Sequence, residues 1–220
     1  MTTPVPHLPF SDRVEAGRLL GEGLSHLEGT HPVVLGIPRG GVPIAAEVAA
    51  RLDGDLDIIV ARKLGAPMSP ELAIGAVTAD GGRFLNDDVI ESLGVRGDYV
   101  TWETARQLAD ARAREERLRA GHPTIELSGR TVILCDDGLA TGATMRASAR
   151  SVRKRGASRL IIAVPVGSRE ACTALASEAD EVVCLIQPEP FIAVGRHYVD
   201  FEAVEDDTVA RLLKGAVRAP

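Results

Sequence analysis

Residues 133–144, ILCDDGLATGAT, set two adjacent aspartates between an apolar run and a loop of small residues. Neighbouring carboxylates repel, so Asp136 and Asp137 require a cationic or polar partner. The loop beyond them suits an anion. Gly142 and its small neighbours let backbone amides approach an oxyanion, Thr141 and Thr144 add hydroxyl donors, and a helix starting there presents its positive end. It is not the GxxxxGK[ST] loop of nucleotide-binding proteins, because no lysine follows the glycine. A phosphate held in the loop would repel the aspartates, which are poor phosphate ligands but good acceptors for two vicinal hydroxyls. A ribose 5-phosphate satisfies both demands, with its phosphate in the loop and its 2′- and 3′-hydroxyls on Asp136 and Asp137. A hydrated Mg²⁺ nearby would relieve the charge that remains.

The elements that must position these residues follow from periodicity. VVLGI (33–37), DIIVA (57–61), TVILC (131–135), RLIIAVPV (159–166) and EVVCLI (181–186) read as short apolar strands. The first runs into Pro-Arg-Gly-Gly (38–41) and the second ends in Arg62–Lys63. Helices are predicted after Ser11 as cap, from the PRGGVP turn to about Leu52, over most of 87–120, after the Gly142 loop, from Ser168, and over about Asp206 to Lys214. LGAPMSPE (64–71), with two prolines and a glycine, reads as a mobile loop, and 73–86 as a hairpin with Asp80–Gly81–Gly82 at its tip. The charge run over about 99–119, with Asp110/Arg114 and Glu115/Arg119 four residues apart, reads as a solvated helix face. Apolar strands alternating with helices predict an α/β fold of three layers, α/β/α, around a mostly parallel twisted sheet, as one domain over 1–220. Ligands bind such sheets beyond the carboxyl ends of the strands, where all three polar segments sit.

Composition narrows the function classes. The net charge of −6 counts against a nucleic-acid binder, which carries a basic face. Aromatic residues are only 3%, so the core must come from Ala, Val, Leu and Ile. Cys135, Cys172 and Cys184 lack metal-ligand spacing and read as buried thiols of a reducing compartment. His7, His26, His31 and His122 likewise show no ligand spacing. No signal peptide and no membrane-length apolar run are visible, so a cytoplasmic location is expected. The DDG stretch lacks the second acid that an aspartate-nucleophile phosphatase needs two positions on, where Gly138 stands. No GxSxG occurs, which argues against a serine hydrolase.

ILCDDGLATGAT resembles the phosphoribosyl-pyrophosphate (PRPP) signature of type I phosphoribosyltransferases: a hydrophobic strand, two acids, then a TGxT loop. GIPRGG (36–41) is similar to the family's pyrophosphate loop, and ARK (61–63) to the basic pair ending its second strand. The segment from about 64 to 80 resembles its flexible lid. The pattern is nearest a bacterial subgroup carrying PRGG, RKLGAP and DDGxATGAT segments. The resemblance implies displacement of pyrophosphate from C1 of the sugar by a nitrogen nucleophile, through an oxocarbenium-like transition state. It implies Mg²⁺ as cofactor and a homodimer. Gly138, Ala140, Thr141, Gly142, Ala143 and Thr144 would bind the 5-phosphate, while Asp136 and Asp137 would bind the ribose and, mainly through water and PRPP, the metal. Arg39, with Gly40 and Gly41, would bind the diphosphate in a loop where the family often holds a non-proline cis peptide. Lys63 and Arg62 would offset charge on the leaving group, and Arg39, Lys63 and Asp137 would carry catalysis.

A hood is expected from about 1–10 and 187–202. Within it PFIAVGRHYVDF (190–201) resembles the hood of hypoxanthine-guanine phosphoribosyltransferases. That makes Phe191 the base-stacking candidate, with the Ile192 backbone beside it. His197 and Tyr198 either face the acceptor or form a hydrogen-bonded structural pair. Two departures leave the acceptor open: VPVGS (164–168) has no lysine to meet a 6-oxo group, and LGAP replaces the KxHG lid of orotate enzymes. A non-catalytic PRPP sensor is the second reading, against which retention of Arg39 and Lys63 speaks.

Overall fold

The computed structural model of the protein describes residues 9–216. In chain order the elements are α1 (Arg13–Gly23), β1 (Val33–Gly36), α2 (Gly41–Leu52), β2 (Asp55–Ile58), β3 (Ala61–Ala66), β4 (Ser69–Thr78) and β5 (Arg83–Leu85). Then follow α3 (Asp87–Ser92), α4 (Gly97–Arg119), β6 (Thr131–Cys135), α5 (Ala143–Lys154), β7 (Arg159–Val166), α6 (Arg169–Leu175), β8 (Glu181–Ile186) and α7 (Asp206–Gly215). Five strands pair in parallel in the order β2-β1-β6-β7-β8, and β3-β4-β5 form a separate antiparallel sheet.

Side chains alternate across the parallel sheet, and both faces are covered. On β6, Val132 and Leu134 pack with Met145, Ala149 and Val152 of α5. Ile133 and Cys135 face the other way, toward Leu20 of α1 and Val42 and Ala45 of α2. This double burial is why these strands read as unbroken apolar runs. Among the described residues no helix is long and apolar enough to cross a membrane.

Four sequence expectations need correction. Asp12, not Ser11, caps α1: its carboxylate accepts from the Glu15 amide at 2.8 Å, while the Ser11 amide donates to the Glu15 carboxylate. The second strand stops at Ile58, where its register with β1 ends opposite Gly36. Arg62 and Lys63 therefore lie on β3 of the antiparallel sheet, not at the end of a parallel strand. Residues 64–71 are not a structureless loop either. Ala61–Ala66 pairs with Ser69–Thr78, and the ladder jumps from Gly65↔Ala73 to Ala66↔Ser69, so Pro70 falls in a bulge that asks it for no ladder hydrogen bond.

The fourth correction concerns α4, which is solvated on one side only. Glu103 and Gln107 are buried beneath the hairpin, where the Glu103 carboxylate accepts from the Gly65 amide at 3.4 Å and from Gln107 Nε2 at 2.9 Å. Tyr99 Oη donates to the Gly65 carbonyl at 3.0 Å. Buried Arg119 bonds Asp57 at 2.6 Å and also the expected Glu115 at 3.1 Å. Asp110 meets Arg106 at 3.9 Å instead of Arg114. The polar residues of α4 satisfy backbone groups of the hairpin and of the β2 end.

Candidate active site

β1 and β6 are neighbours, but the chain leaves β1 through α2 on one face and β6 through α5 on the other. This is the topological switch point, and the crevice there is the standard ligand position of open α/β sheets. The Pro38–Gly41 loop follows β1 and the Asp136–Asp137 loop follows β6. They touch directly. A Cβ on Gly41 would lie 2.6 Å from the Cys135 carbonyl oxygen, and one on Gly40 would overlap the Asp137 carboxylate at 1.9 Å. Both positions therefore require glycine. The Pro38–Arg39 peptide is cis, at the predicted place. The amides of Arg39 and Gly40 donate to no backbone acceptor among the described residues, which leaves them for a ligand.

The partner that the two aspartates require is Arg13, in the first turn of α1. Its Nε and Nη2 lie 2.9 and 2.8 Å from Asp137 Oδ2. The guanidinium stacks 3.9 Å from the Phe201 ring centroid. Asp136 accepts the Asp137 amide at 2.9 Å and makes no ion pair among the described residues. Burial pushes both carboxyls above the ordinary aspartate range; the charge of Asp137 adds to the rise at Asp136, and Arg13 opposes it at both. Lys63 is close enough to lower Asp136 slightly. The pair thus resists carrying two negative charges at once.

The phosphate-loop candidates form a turn with free donors. The amides of Ala140, Thr141 and Gly142 donate to no backbone acceptor among the described residues, and the first-turn amides of α5 have none inside the helix. Neither Thr141 nor Thr144 makes a side-chain hydrogen bond there. Gly142 adopts φ +76° as the residue before α5, with its carbonyl accepting from Arg146. Ser168 holds the loop from below, donating to the Ala140 carbonyl at 3.0 Å and accepting from the Ala171 amide at 3.1 Å. Val194 closes over Gly138, where a Cβ would lie 2.5 Å from it. Ala143 is buried in the first turn of α5.

The phosphoribosyl transferase domain family matches residues 14–200. The chain belongs to this family. A Mycobacterium tuberculosis protein provisionally named a phosphoribosyl transferase is 46% identical over 209 residues, or 95% of this chain; the chain spans about half of that relative, 47%. A crystal structure from Thermus thermophilus aligns with TM-score 0.83 and 44% identity, covering 96% of this chain and all of the other, 100%. A ribose-phosphate pyrophosphokinase of Prochlorococcus marinus is 32% identical over 143 residues, covering 60% of this chain and 42% of its own.

The remaining phosphoribosyl transferase candidates divide. Arg62 and Lys63 alternate on β3. Arg62 turns to α4, where its Nε donates to Gln107 Oε1 at 3.3 Å, whereas Lys63 is exposed and near Asp136. Arg39 Nη1 lies 3.5 Å from Asp206 at the start of α7. Phe191 is half-buried, stacks on His197 at 5.9 Å, and lines a cavity of about 500 Å³ with Ala140, Ser168 and Pro188. Tyr198 does not pair with His197; its hydroxyl donates to the Asp137 carbonyl at 2.6 Å. Hood residues 1–8 lie outside the described residues; Phe10 and Tyr198 form an isolated parallel bridge.

Arg13 and Asp206 were missed as site residues, and the contact of Tyr198 with the Asp137 backbone was not foreseen. Only Arg13 left a local signal, because a cation in a helix's first turn opposes the helix dipole unless another charge holds it there.

Proposed function

We propose that this chain transfers the 5-phosphoribosyl group of PRPP to a ring or amine nitrogen of a nucleobase-like acceptor and releases pyrophosphate. The observation that carries the reading is the direct packing of the Gly40–Gly41 turn against Asp136–Asp137, with the donor-rich 138–144 loop alongside. One turn offers amides to a diphosphate, the carboxylates accept two hydroxyls, and the loop offers amides to a 5-phosphate.

In the reaction the C1–oxygen bond breaks with its electron pair leaving on diphosphate, and the acceptor nitrogen bonds C1 and gives up its proton. Lys63 and Arg39 offset the charge growing on the leaving group. Asp136 and Asp137 fix the ribose so that C1 faces the acceptor, and the β3–β4 hairpin, over about 64–80, closes over the diphosphate and excludes water. The cavity beside Phe191 receives the acceptor, with segment 187–202 as hood.

Among the described residues no group of three or more His, Cys, Asp or Glu is arranged to hold a metal. One or two carboxylates completed by substrate oxygens and water is the coordination that Mg²⁺ favours, and Asp136, half-buried and without an ion pair among the described residues, fits it. Mg²⁺ bound there would supply positive charge for the diphosphate oxygens. The working form is a cytoplasmic homodimer.

The test is pyrophosphate release from PRPP and Mg²⁺ with each nucleobase and small amine separately, and with none. Acceptor-dependent release is expected. PRPP binding with no release for any acceptor would replace transfer with sensing.

A further inference from the structure

Four arginines, Arg39, Arg62, Arg114 and Arg117, gather beside the Pro38–Gly41 loop, and three of them act on one carboxylate, that of Asp206. Asp206, the first residue of α7, accepts from Arg117 Nε of α4 at 2.8 Å and stands 3.5 Å from Arg39 Nη1. Arg62 of β3 reaches only the neutral amide oxygen of Gln107. Arg114 of α4, half-buried, makes no hydrogen bond or ion pair among the described residues; it lies one helical turn before Arg117 and two turns after Gln107, on the face that carries the partners of Asp206 and Arg62. Burial and the charges of Arg62 and Arg39 lower its pKa from the ordinary arginine value, and Asp206 is the carboxylate that opposes this. Arg117, Arg114 and Arg39 thus all act on the one carboxylate of Asp206, and Arg62 stands beside them without an acid of its own among the described residues. Guanidiniums held close together repel one another, and a multiply charged anion relieves that repulsion.

We propose that Arg114 joins Arg39 and Arg62 in a diphosphate subsite, and that Asp206 is the anion this subsite exchanges for diphosphate. The planar forks of three guanidiniums match the terminal oxygens of a diphosphate better than a shared carboxylate does. The Arg39–Asp206 contact, 3.5 Å, is longer than the Arg117–Asp206 one, 2.8 Å, which makes Arg39 the arginine this exchange releases. Diphosphate entry frees Asp206 from Arg39 while Arg117 keeps it. The start of α7 is thereby tied to occupancy of the loop after β1. The subsite rests on the proposed phosphoribosyl transfer for the source of its diphosphate, but not for the arginine geometry itself.

The experiment is calorimetric titration of the full chain with inorganic diphosphate, and separately with ribose 5-phosphate, for wild type, Arg114→Gln, Arg114→Lys and Asp206→Asn. Thermal melts establish that each variant is folded. Arg114→Gln is expected to weaken diphosphate binding roughly tenfold, as loss of a charge-assisted hydrogen-bond donor does, with ribose 5-phosphate unchanged. Arg114→Lys should recover part of the loss, and Asp206→Asn should tighten diphosphate several-fold. Unchanged diphosphate affinity in Arg114→Gln, or weaker binding in Asp206→Asn, overturns the subsite. Diphosphate binding that depends on Arg114, in a protein that transfers nothing from PRPP, sinks the transfer reading and leaves the subsite standing.

Discussion

Arg13 and Asp137, 124 residues apart, meet through one carboxylate oxygen, with Nε and Nη2 of the arginine at 2.9 and 2.8 Å from Oδ2. Asp136 beside them has no comparable partner. The two neighbouring aspartates are therefore chemically unequal: among the described residues only Asp137 has an ion pair within the fold.

Arg13→Met should destabilise the protein by about 3 kcal/mol, because it strands a largely buried carboxylate beside a second one. For a chain of this size that is a fall in Tm of roughly 5–10 °C. A thermal melt within about 1 °C of wild type would show that Arg13 does not neutralise the pair.

Asp136→Asn should have the opposite effect on the ligand-free protein. It removes a buried charge that repels Asp137, so Tm should rise by about 2–4 °C, while binding of PRPP with Mg²⁺ is lost. Asp137→Asn breaks the Arg13 pair and should lower Tm. Equal behaviour of the two variants would refute the inequality.

The raised pKa of Asp136 also sets the sign of a pH effect. A carboxyl whose folded pKa is raised holds its proton more tightly folded than unfolded. Its contribution to stability is full below the ordinary aspartate value of 3.8 and declines as pH rises through the folded value. A cation or a sugar hydroxyl donor selects the ionised form, so binding of PRPP with Mg²⁺ should release protons, and affinity should grow with pH over that interval. Titrations in two buffers of different ionisation enthalpy read the proton number; proton uptake, or none, contradicts the assignment.

Lys63→Ala should separate chemistry from sugar binding. Lys63 is exposed on β3 and makes no side-chain ion pair among the described residues, so the fold should tolerate the change. Turnover should fall roughly 100-fold, the scale for loss of one charge-stabilising donor, with ribose 5-phosphate affinity held within about twofold. Equal losses in both would deny it a leaving-group role.

The parallel sheet was legible because both its faces are buried, which makes each strand a run such as TVILC or RLIIAVPV. The same property hid the end of β2. Ile59 and Val60 are as apolar as Ile58, so nothing in DIIVA marks where pairing with β1 stops and the chain turns toward the second sheet. Pro67 and Pro70 suggested a loop, since a bulge that spares Pro70 a ladder bond leaves no mark of its own. The facing glycines and aspartates were legible as separate motifs, and their close approach explains why each is needed. Arg114 and Asp206 were not, because a charge surplus arises only when distant helices meet. Glu103 and Gln107 likewise read as surface until the hairpin backbone they serve is in place.

The clasp between the segment before α1 and the hood has a consequence for synthesis. The Phe10 amide donates to the His197 carbonyl at 2.9 Å, the Val199 amide returns a bond to Phe10 at 2.8 Å, and Tyr198 reaches the Asp137 carbonyl. A nascent chain emerging from the ribosome can assemble β1, α2, β2 and β6 well before residues 197–199 appear. Arg13 and Asp137 can find each other during that interval, but the carbonyl of Asp137 waits for a tyrosine made some sixty residues later, 61 positions on. Translation thus delivers a core first and a closed pocket last, and a chain released early would carry its acidic pair with the pocket unlatched.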